Sequence, residues 1–443
     1  MALATGGGIV AAAPSLGAEA AESYIVVLKD SVPDAAAVAA AQESKFGFAG
    51  ARVYSYAVNG YAGTMTASEA QAVAAEPDVE FVSLGRHFDK PRDPEPPNTQ
   101  VAPFWWLRMG GNVDKARDHA VGDDGRNGSV DVNVAVIDSG IDGTHPDLNV
   151  RGGIDCSSGT PVKVVTPIDV MGHGTAVAGV IGARNNNIGI IGTAPGTPLW
   201  SVRVVNDAHE ITEESLICAI DWVTSTRKDK NPSNDIEVAN ISIGGPGSDT
   251  PNCGRGTDPM HYAICRSVKA GVAYAVAAGN ESADIAGTVP AAYQEVLTAT
   301  AIADFDGRPG GLAAPVCGTE KWAAIGQLDD HPAVFSNFAT HSQDKRHTVA
   351  APGVCMLSTA PLATTPGYSV NAGTSFASPA VAGSVALCIS KKVCHGSGKN
   401  VMEEFLDRAA AFNKKDHDHG FEDDPLHPAD TKYYGYLTQL TMF

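Results

Sequence analysis

Along the first part of the chain, apolar positions fall in short blocks broken by polar or glycine-bearing segments. Tyr24-Ile-Val-Val-Leu-Lys29 is a continuous strand-forming run. Pro33 interrupts it, and the alanine-rich stretch that follows reads as a helix to about Phe46. Arg52 to Val58 and Tyr61 to Met65 flank Asn59-Gly60, a dipeptide that favours a tight hairpin. Ser68 to Ala75 reads as a helix with Ser68 as its cap, and Val79 to Leu84 as a last strand. The order β-α-β-β-α-β predicts a small ferredoxin-like α+β domain over residues 23–88.

Residues 89–100, DKPRDPEPPNTQ, carry Pro91, Pro94, Pro96 and Pro97. Proline at that density continues neither helix nor sheet and makes an extended, protease-accessible linker. Beyond it, from 101 to 443, strand and helix patterns alternate. Asp131 to Ile137, Leu199 to Val205, Val238 to Ile243 and Val272 to Ala277 read as buried strands. Thr175 to Ile181, Glu213 to Thr224 and Pro259 to Ala270 read as helices. This alternation predicts an α/β fold, a parallel sheet with helices on both faces, whose ligands sit beyond the carboxyl ends of the strands. Asp138 and Asn280 fall at two such ends.

Charge narrows the function classes. The 443 residues hold 31 Lys plus Arg against 50 Asp plus Glu, a formal net charge of −19, which argues against nucleic acid and anionic membranes as partners. No apolar run is long enough to span a bilayer. Residues 1–22 resemble part of a secretory leader, with Ala18-Glu19-Ala20 as a small-residue cleavage site, although no Lys or Arg precedes the apolar region. Eight cysteines fit an oxidising, extracellular compartment, and no Cys-x-x-Cys pair occurs. Cys253 and Cys265 flank a turn-rich segment, Cys388 and Cys394 close a short loop, and Cys317 and Cys355 bracket an apparent insertion. That leaves Cys156 with Cys218, the connectivity itself staying open.

Three segments carry candidate chemistry: Val-Ile-Asp138-Ser-Gly, Gly-His173-Gly-Thr and Gly-Thr-Ser375-Phe-Ala-Ser-Pro. An acid, an imidazole and a hydroxyl together turn a weak alcohol into a nucleophile. Their order, Asp then His then Ser, is that of the subtilisins, and the chain resembles the subtilisin-like serine proteases (subtilases) from about Thr99 to Tyr436. The 23–88 domain is similar to the family's inhibitor-type propeptide. The resemblance implies a monomeric, secreted serine endopeptidase made as a self-processed zymogen, acting on protein or peptide substrates and inhibited by its own propeptide. It needs no cofactor for its chemistry.

Residue by residue, the resemblance makes Ser375 the nucleophile, His173 the general base, Asp138 its orienting acid and Asn280 a donor to the oxyanion. Asp142 and Asp147 are the competing acids, in a turn-rich stretch where Asp usually caps or is solvated. Ser242, Ile243, Gly244 and Gly245 would pair with an extended substrate, and Ala277, Ala278 and Gly279 would form the opposite wall. Small, uncharged walls imply an apolar or aromatic side chain before the cut bond. Two departures from the family pattern stand out: Ala176 replaces its commoner second histidine, and Phe376 replaces the methionine after the nucleophile. Asn280-Glu-Ser282 is also a glycosylation sequon, less credible than Asn127-Gly-Ser129 because a glycan there would block the site. Subtilases often bind calcium, and Asp304, Asp306, Asp329 and Asp330 offer hard oxygen ligands, without EF-hand spacing. Asp416-His-Asp-His419 is a second, weaker locus.

Overall fold

In the run Tyr24 to Leu28 apolar residues do not alternate with polar ones, which requires both faces of the strand to be covered. A computed structural model, describing residues 20–85, 87–88, 100–111, 130–311, 313–363, 367–428 and 430–443, shows how. The strand Glu22–Leu28 lies between Gly60–Met65 and Val79–Leu84 in an antiparallel sheet that Ala49–Tyr54 completes at one edge. Val26 and Leu28 face the helices Ala35–Phe46 and Ala67–Ala74, in a core with Ala39, Tyr61 and Val73. Ile25 and Val27 point the other way and join the core of the rest of the chain, with Ala62 and Phe81. The leader before residue 20, most of the proline-rich segment and the Asn127 sequon lie outside the described residues.

Two local expectations are corrected. The Ala67–Ala74 helix is capped by Thr66, not Ser68: Thr66 Oγ1 accepts from Glu69 N while the Glu69 carboxylate accepts from Thr66 N. The reciprocal pair satisfies two otherwise orphaned donors, which a Ser68 cap would not. The second strand ends at Tyr54, so its hairpin loop is wider than Asn59-Gly60. The backbone N–H groups of Ser55, Tyr56 and Ala57 are given to the Asp221 carboxylate instead of a strand partner.

The larger sheet runs in the order Tyr436–Leu437, Thr348–Pro352, Leu297–Ala303, Ala273–Ala277, Ile236–Ile241, Asn133–Asp138, Leu199–Arg203, Val150–Asp155, Val162–Val164. Its central pairs are parallel; Val162–Val164 and an offshoot at His331–Pro332 are antiparallel. Asn133–Asp138 is buried at every residue, as a strand covered by helices on both faces must be. The chain continues from it to one side and later returns on the other, so the carboxyl end of this strand, at Asp138, is a topological switch point where a crevice opens.

The helix Thr374–Ser390 is buried from Thr374 to Cys388. It packs on the strands Ala273–Ala277, Leu297–Ala303 and Ile236–Ile241 and on the helix His173–Gly182. Its composition, apolar or small all round, is that of a helix with no water-facing side. Four disulfides, Cys156–Cys218, Cys253–Cys265, Cys317–Cys355 and Cys388–Cys394, join the cysteines in the pairs read from their placement. Among the described residues, no helix is long and apolar enough to cross a membrane.

Candidate active site

Asp138 ends its strand with a side chain 2 % exposed. Its Oδ1 is 2.8 Å from His173 Nδ1 and also accepts from Ser139 N at 2.7 Å. His173 opens the helix His173–Gly182 behind Gly172, whose φ of 89° is one that glycine adopts freely. No side chain of Gly172 can cap that helix; Asp169 does so from outside. Its Oδ1 accepts from Gly172 N and Ser139 Oγ, its Oδ2 from Thr175 N and Thr175 Oγ1. Ser139 Oγ in turn accepts from Gly174 N. One carboxylate thus fixes the orientation of the imidazole and the strand end carrying its partner acid. The sequence reading missed Asp169, whose only signal was an acidic residue shortly before Gly172-His173.

Ser375 is the second residue of its helix, in the first turn, where N–H groups have no intrahelical acceptor. Four residues on, Pro379 has no N–H to give the Ser375 carbonyl. Ser242 Oγ fills that place, donating to Ser375 O at 2.7 Å, and is itself held by Asn240 Nδ2, while Asn240 Oδ1 accepts from Ser378 Oγ. The Ser375 hydroxyl rests on the Ser242 carbonyl at 3.2 Å. Next to it, the Phe376 ring meets the His173 imidazole edge-on, centroids 5.4 Å apart.

Asn280 follows the strand Ala273–Ala277 and is exposed. Its Oδ1 accepts from Thr374 N at 2.8 Å and Thr374 Oγ1 at 3.1 Å, and Thr374 Oγ1 also accepts from Gly279 N. Behind it, buried Asn337 anchors the loop by accepting from Glu281 N and Ala283 N and donating to Ala278 O. Neither Thr374 nor Asn337 was legible as a support from motif spacing.

A cavity of about 540 Å³ connects these groups. Ser242, Gly244, Gly245, Ala277, Gly279, Asn280, Thr374 and Ser375 line it. Ile243 and Ala278, expected in the same walls, are instead buried in the core behind them, since neighbouring residues of extended chain face opposite sides. Pairing here is by Gly245–Pro246 against Thr288–Val289. The walls are also not free of charge: Glu281 and Asp284 line the cavity.

Three of the proposed calcium ligands, Asp304, Asp306 and Asp329, do converge, with one carboxylate oxygen each within 4.8 Å of the others. Arg108 supplies a counter-charge inside the protein, its Nε 2.7 Å from Asp330 and 3.4 Å from Asp304. Asp142 is a turn cap, accepting from Thr144 N. Asp147, by contrast, is neither a cap nor solvated: it is fully buried, and that burial pushes its carboxyl up to about 8. Ala176 is buried, its carbonyl accepting from Ser358 Oγ.

Because Phe376 replaces an oxidisable methionine against the imidazole, activity is expected to survive dilute peroxide, and Phe376→Met to lose it several-fold faster. Equal rates of loss, measured side by side, would assign sensitivity to another residue such as Met171.

Comparison with known proteins agrees with this architecture. The Subtilase family model matches residues 129–423, and the Peptidase inhibitor I9 model residues 23–86. Subtilisin from Bacillus pumilus is 35 % identical over 263 residues, 59 % of this chain and 77 % of that protein. Subtilisin E from Bacillus subtilis (strain 168) is also 35 % identical over 263 residues, but the match spans only 56 % of its length. The epidermin leader peptide processing serine protease of Staphylococcus aureus superposes with a TM-score of 0.63 over 95 % of this chain and 98 % of that one, at 18 % identity, which speaks for the fold alone. The chain belongs to the subtilase family of serine endopeptidases and carries an I9-type inhibitor domain ahead of its protease domain.

Proposed function

We propose that the protein is a secreted, self-processing zymogen in which Ser375 attacks the substrate carbonyl, His173 takes and returns the proton, and Asp138 holds the imidazole in the productive tautomer. The observation that carries this reading is the buried Asp138–His173 pair beside a serine at a helix N-terminus. As the serine oxygen attacks, its proton passes to His173 Nε2, and the imidazolium that forms is stabilised by Asp138. The resulting oxyanion accepts from Ser375 N–H and from the Asn280 amide, whose oxygen is already committed to Thr374. Collapse releases the amine and leaves an acyl-enzyme that water hydrolyses. Labelling by a fluorophosphonate together with hydrolysis of a denatured protein tests this; a protein that takes up no label and cuts nothing is not this enzyme.

The cavity accommodates an apolar or aromatic side chain, and Glu281 at its edge favours a basic residue over an acidic one. The segment leaving the inhibitor domain supports self-processing. His87–Phe88 pairs antiparallel with Ile211–Thr212 and lies alongside Gly245–Pro246, the wall strand of the cavity.

Inhibition rests on a docked surface as well as on that strand. Asp221, 8 % exposed, accepts from three consecutive inhibitor-domain N–H groups, and Lys228 donates to Tyr56 O. Arg52–Glu214, Arg255–Glu80 and Arg266–Asp30 add ion pairs. Three charge-assisted bonds to one buried carboxylate outweigh the more exposed Arg255–Glu80 and Arg266–Asp30 pairs. Asp221→Ala is therefore expected to weaken inhibition by added propeptide by about 10- to 100-fold, with kcat/KM on a short peptide unchanged. Equal inhibition of both enzymes would remove Asp221 from the interface.

For the calcium that the family implies, Asp147 is a fitting residue, because its buried Oδ1 lacks a hydrogen-bond partner, as does Asp304 Oδ2 in the converging acidic group. Asn186 donates its amide N–H to the Asp147 carboxylate while its Oδ1 accepts from Ile188 N, and Gln100 pins the same loop by donating to Ile190 O and accepting from Asn187 N. The ion's part would be structural. Folding raises the Asp147 pKa from about 3.9 to about 8, so in chelator the folded state keeps a proton that the unfolded chain releases, and stability falls across that window as pH rises. Calcium must displace the same proton. Its stabilising effect on Tm should be small at about pH 6, grow towards about pH 8 and vanish in Asp147→Asn; a calcium effect independent of pH and of Asp147 would exclude this site.

A further inference from the structure

Away from the cavity that holds Ser375, the loop carrying Asp249, the helix Pro259–Lys269 and the loop carrying Glu295 bring two carboxylate oxygens and one imidazole nitrogen within 4.8 Å of one another. His261, 1 % exposed, directs its Nε2 at two carboxylates, Glu295 Oε2 at 2.7 Å and Asp249 Oδ1 at 3.6 Å. An imidazole Nε2 carries at most one hydrogen, and Glu295 is placed to take it. Asp249 Oδ1 is then left buried without a hydrogen-bond partner, although Oδ2 of the same residue accepts from Gln294 Nε2. The single Nε2 hydrogen bond accounts for one of the carboxylates and not for the other.

We propose that Asp249, His261 and Glu295 are the protein ligands of a divalent late first-row metal ion, with Zn²⁺ as the committed case. Metal–nitrogen and metal–oxygen bonds of about 2.0–2.2 Å place tetrahedral ligand atoms roughly 3.3 Å apart, and the observed 2.7 and 3.6 Å bracket that spacing. The other imidazole nitrogen, Nδ1, is 3.0 Å from Thr250 Oγ1, the kind of outer contact that fixes the tautomer of a ligating histidine. Tyr293 stacks flat on the ring at 4.1 Å, and its hydroxyl donates to Asp258, the cap of the His261 helix. Cys253–Cys265 ties the loop beyond Asp249 to that helix. The Asp249 and Glu295 side chains are 17 % and 30 % exposed, giving the ion a route in and a water-facing position. One imidazole with two carboxylates suits Zn²⁺ or Co²⁺ better than calcium, which takes oxygen ligands.

The test titrates Zn²⁺ into the chelator-stripped full chain against a chromophoric competitor and records Tm in parallel. One tight equivalent and a raised Tm are expected, with affinity at least 10-fold weaker in Asp249→Asn and in His261→Asn. Circular dichroism matching the parent shows that either variant has folded, and Asp249→Asn, at the partly exposed ligand, is the milder change. No tight equivalent, equal affinity in parent and variants, or selective binding of Ca²⁺ over Zn²⁺ overturns the assignment. None of these readouts depends on proteolytic activity.

Discussion

Purified Ser375→Ala is expected to remain a single uncut precursor under conditions in which the parent separates into inhibitor and protease chains, and to hydrolyse peptides about 10⁶-fold more slowly, the loss that removal of this hydroxyl causes in a subtilisin. The argument is local. The helix packing and the Ser242 contact to the Ser375 carbonyl do not involve the hydroxyl, so the substitution removes the attacking oxygen and one hydrogen bond to Ser242 O, leaving the fold in place. His87–Phe88 lies beside the Gly245–Pro246 wall, which is why the proposed self-processing makes the protein's own chain the first substrate expected at Ser375. Mass spectrometry over hours decides it. Full processing of Ser375→Ala with no other protease present would mean that maturation is carried out by a different enzyme.

Asn280→Ala is expected to lower kcat by about 10²- to 10³-fold, the range found for one such donor in a subtilisin, while KM shifts little. Charge develops on the substrate oxygen only as the tetrahedral species forms, so a donor aimed at it stabilises the transition state more than the bound substrate. The Thr374 contacts make the experiment sharper, because they hold the Asn280 oxygen and so fix which end of the amide faces the substrate. Asn280→Asp keeps an acceptor for Thr374 N but offers no amide donor; it should resemble the alanine variant in kcat. An unchanged kcat in either variant would remove Asn280 from this role.

The strands ending at Asp138 and just before Asn280, and the helices opening at His173 and near Ser375, were readable because each couples an apolar run to a motif with its own chemistry. What escaped the reading depends on main-chain partners that no pattern of side chains records. Asp169 resembles any acidic turn residue until Gly172 N and Thr175 N meet on it. Ser242 lines the cavity as expected, but its second task was not legible: its hydroxyl completes a helix that Pro379 leaves one hydrogen bond short. Tyr54 ended its strand early because the following N–H groups belong to Asp221, a residue far along the chain. Asp147 lay in a turn-rich stretch whose burial is set by packing from elsewhere. Such long-range satisfaction of buried polar groups is what local sequence cannot express.

The inhibitor sheet, apolar on both sides, has a consequence for timing. Its inner face, with Ile25, Val27, Ala62 and Phe81, is finished only by the protease body. Once cut away, so small a domain exposes that face to water and loses much of the burial that holds it together. In the self-processing proposed above, the severed piece would unfold more readily than the docked one and become a substrate for the enzyme it had restrained. On the proposed self-processing, shut-off would then be a single-use fuse, its length set by how long the severed domain stays on the enzyme.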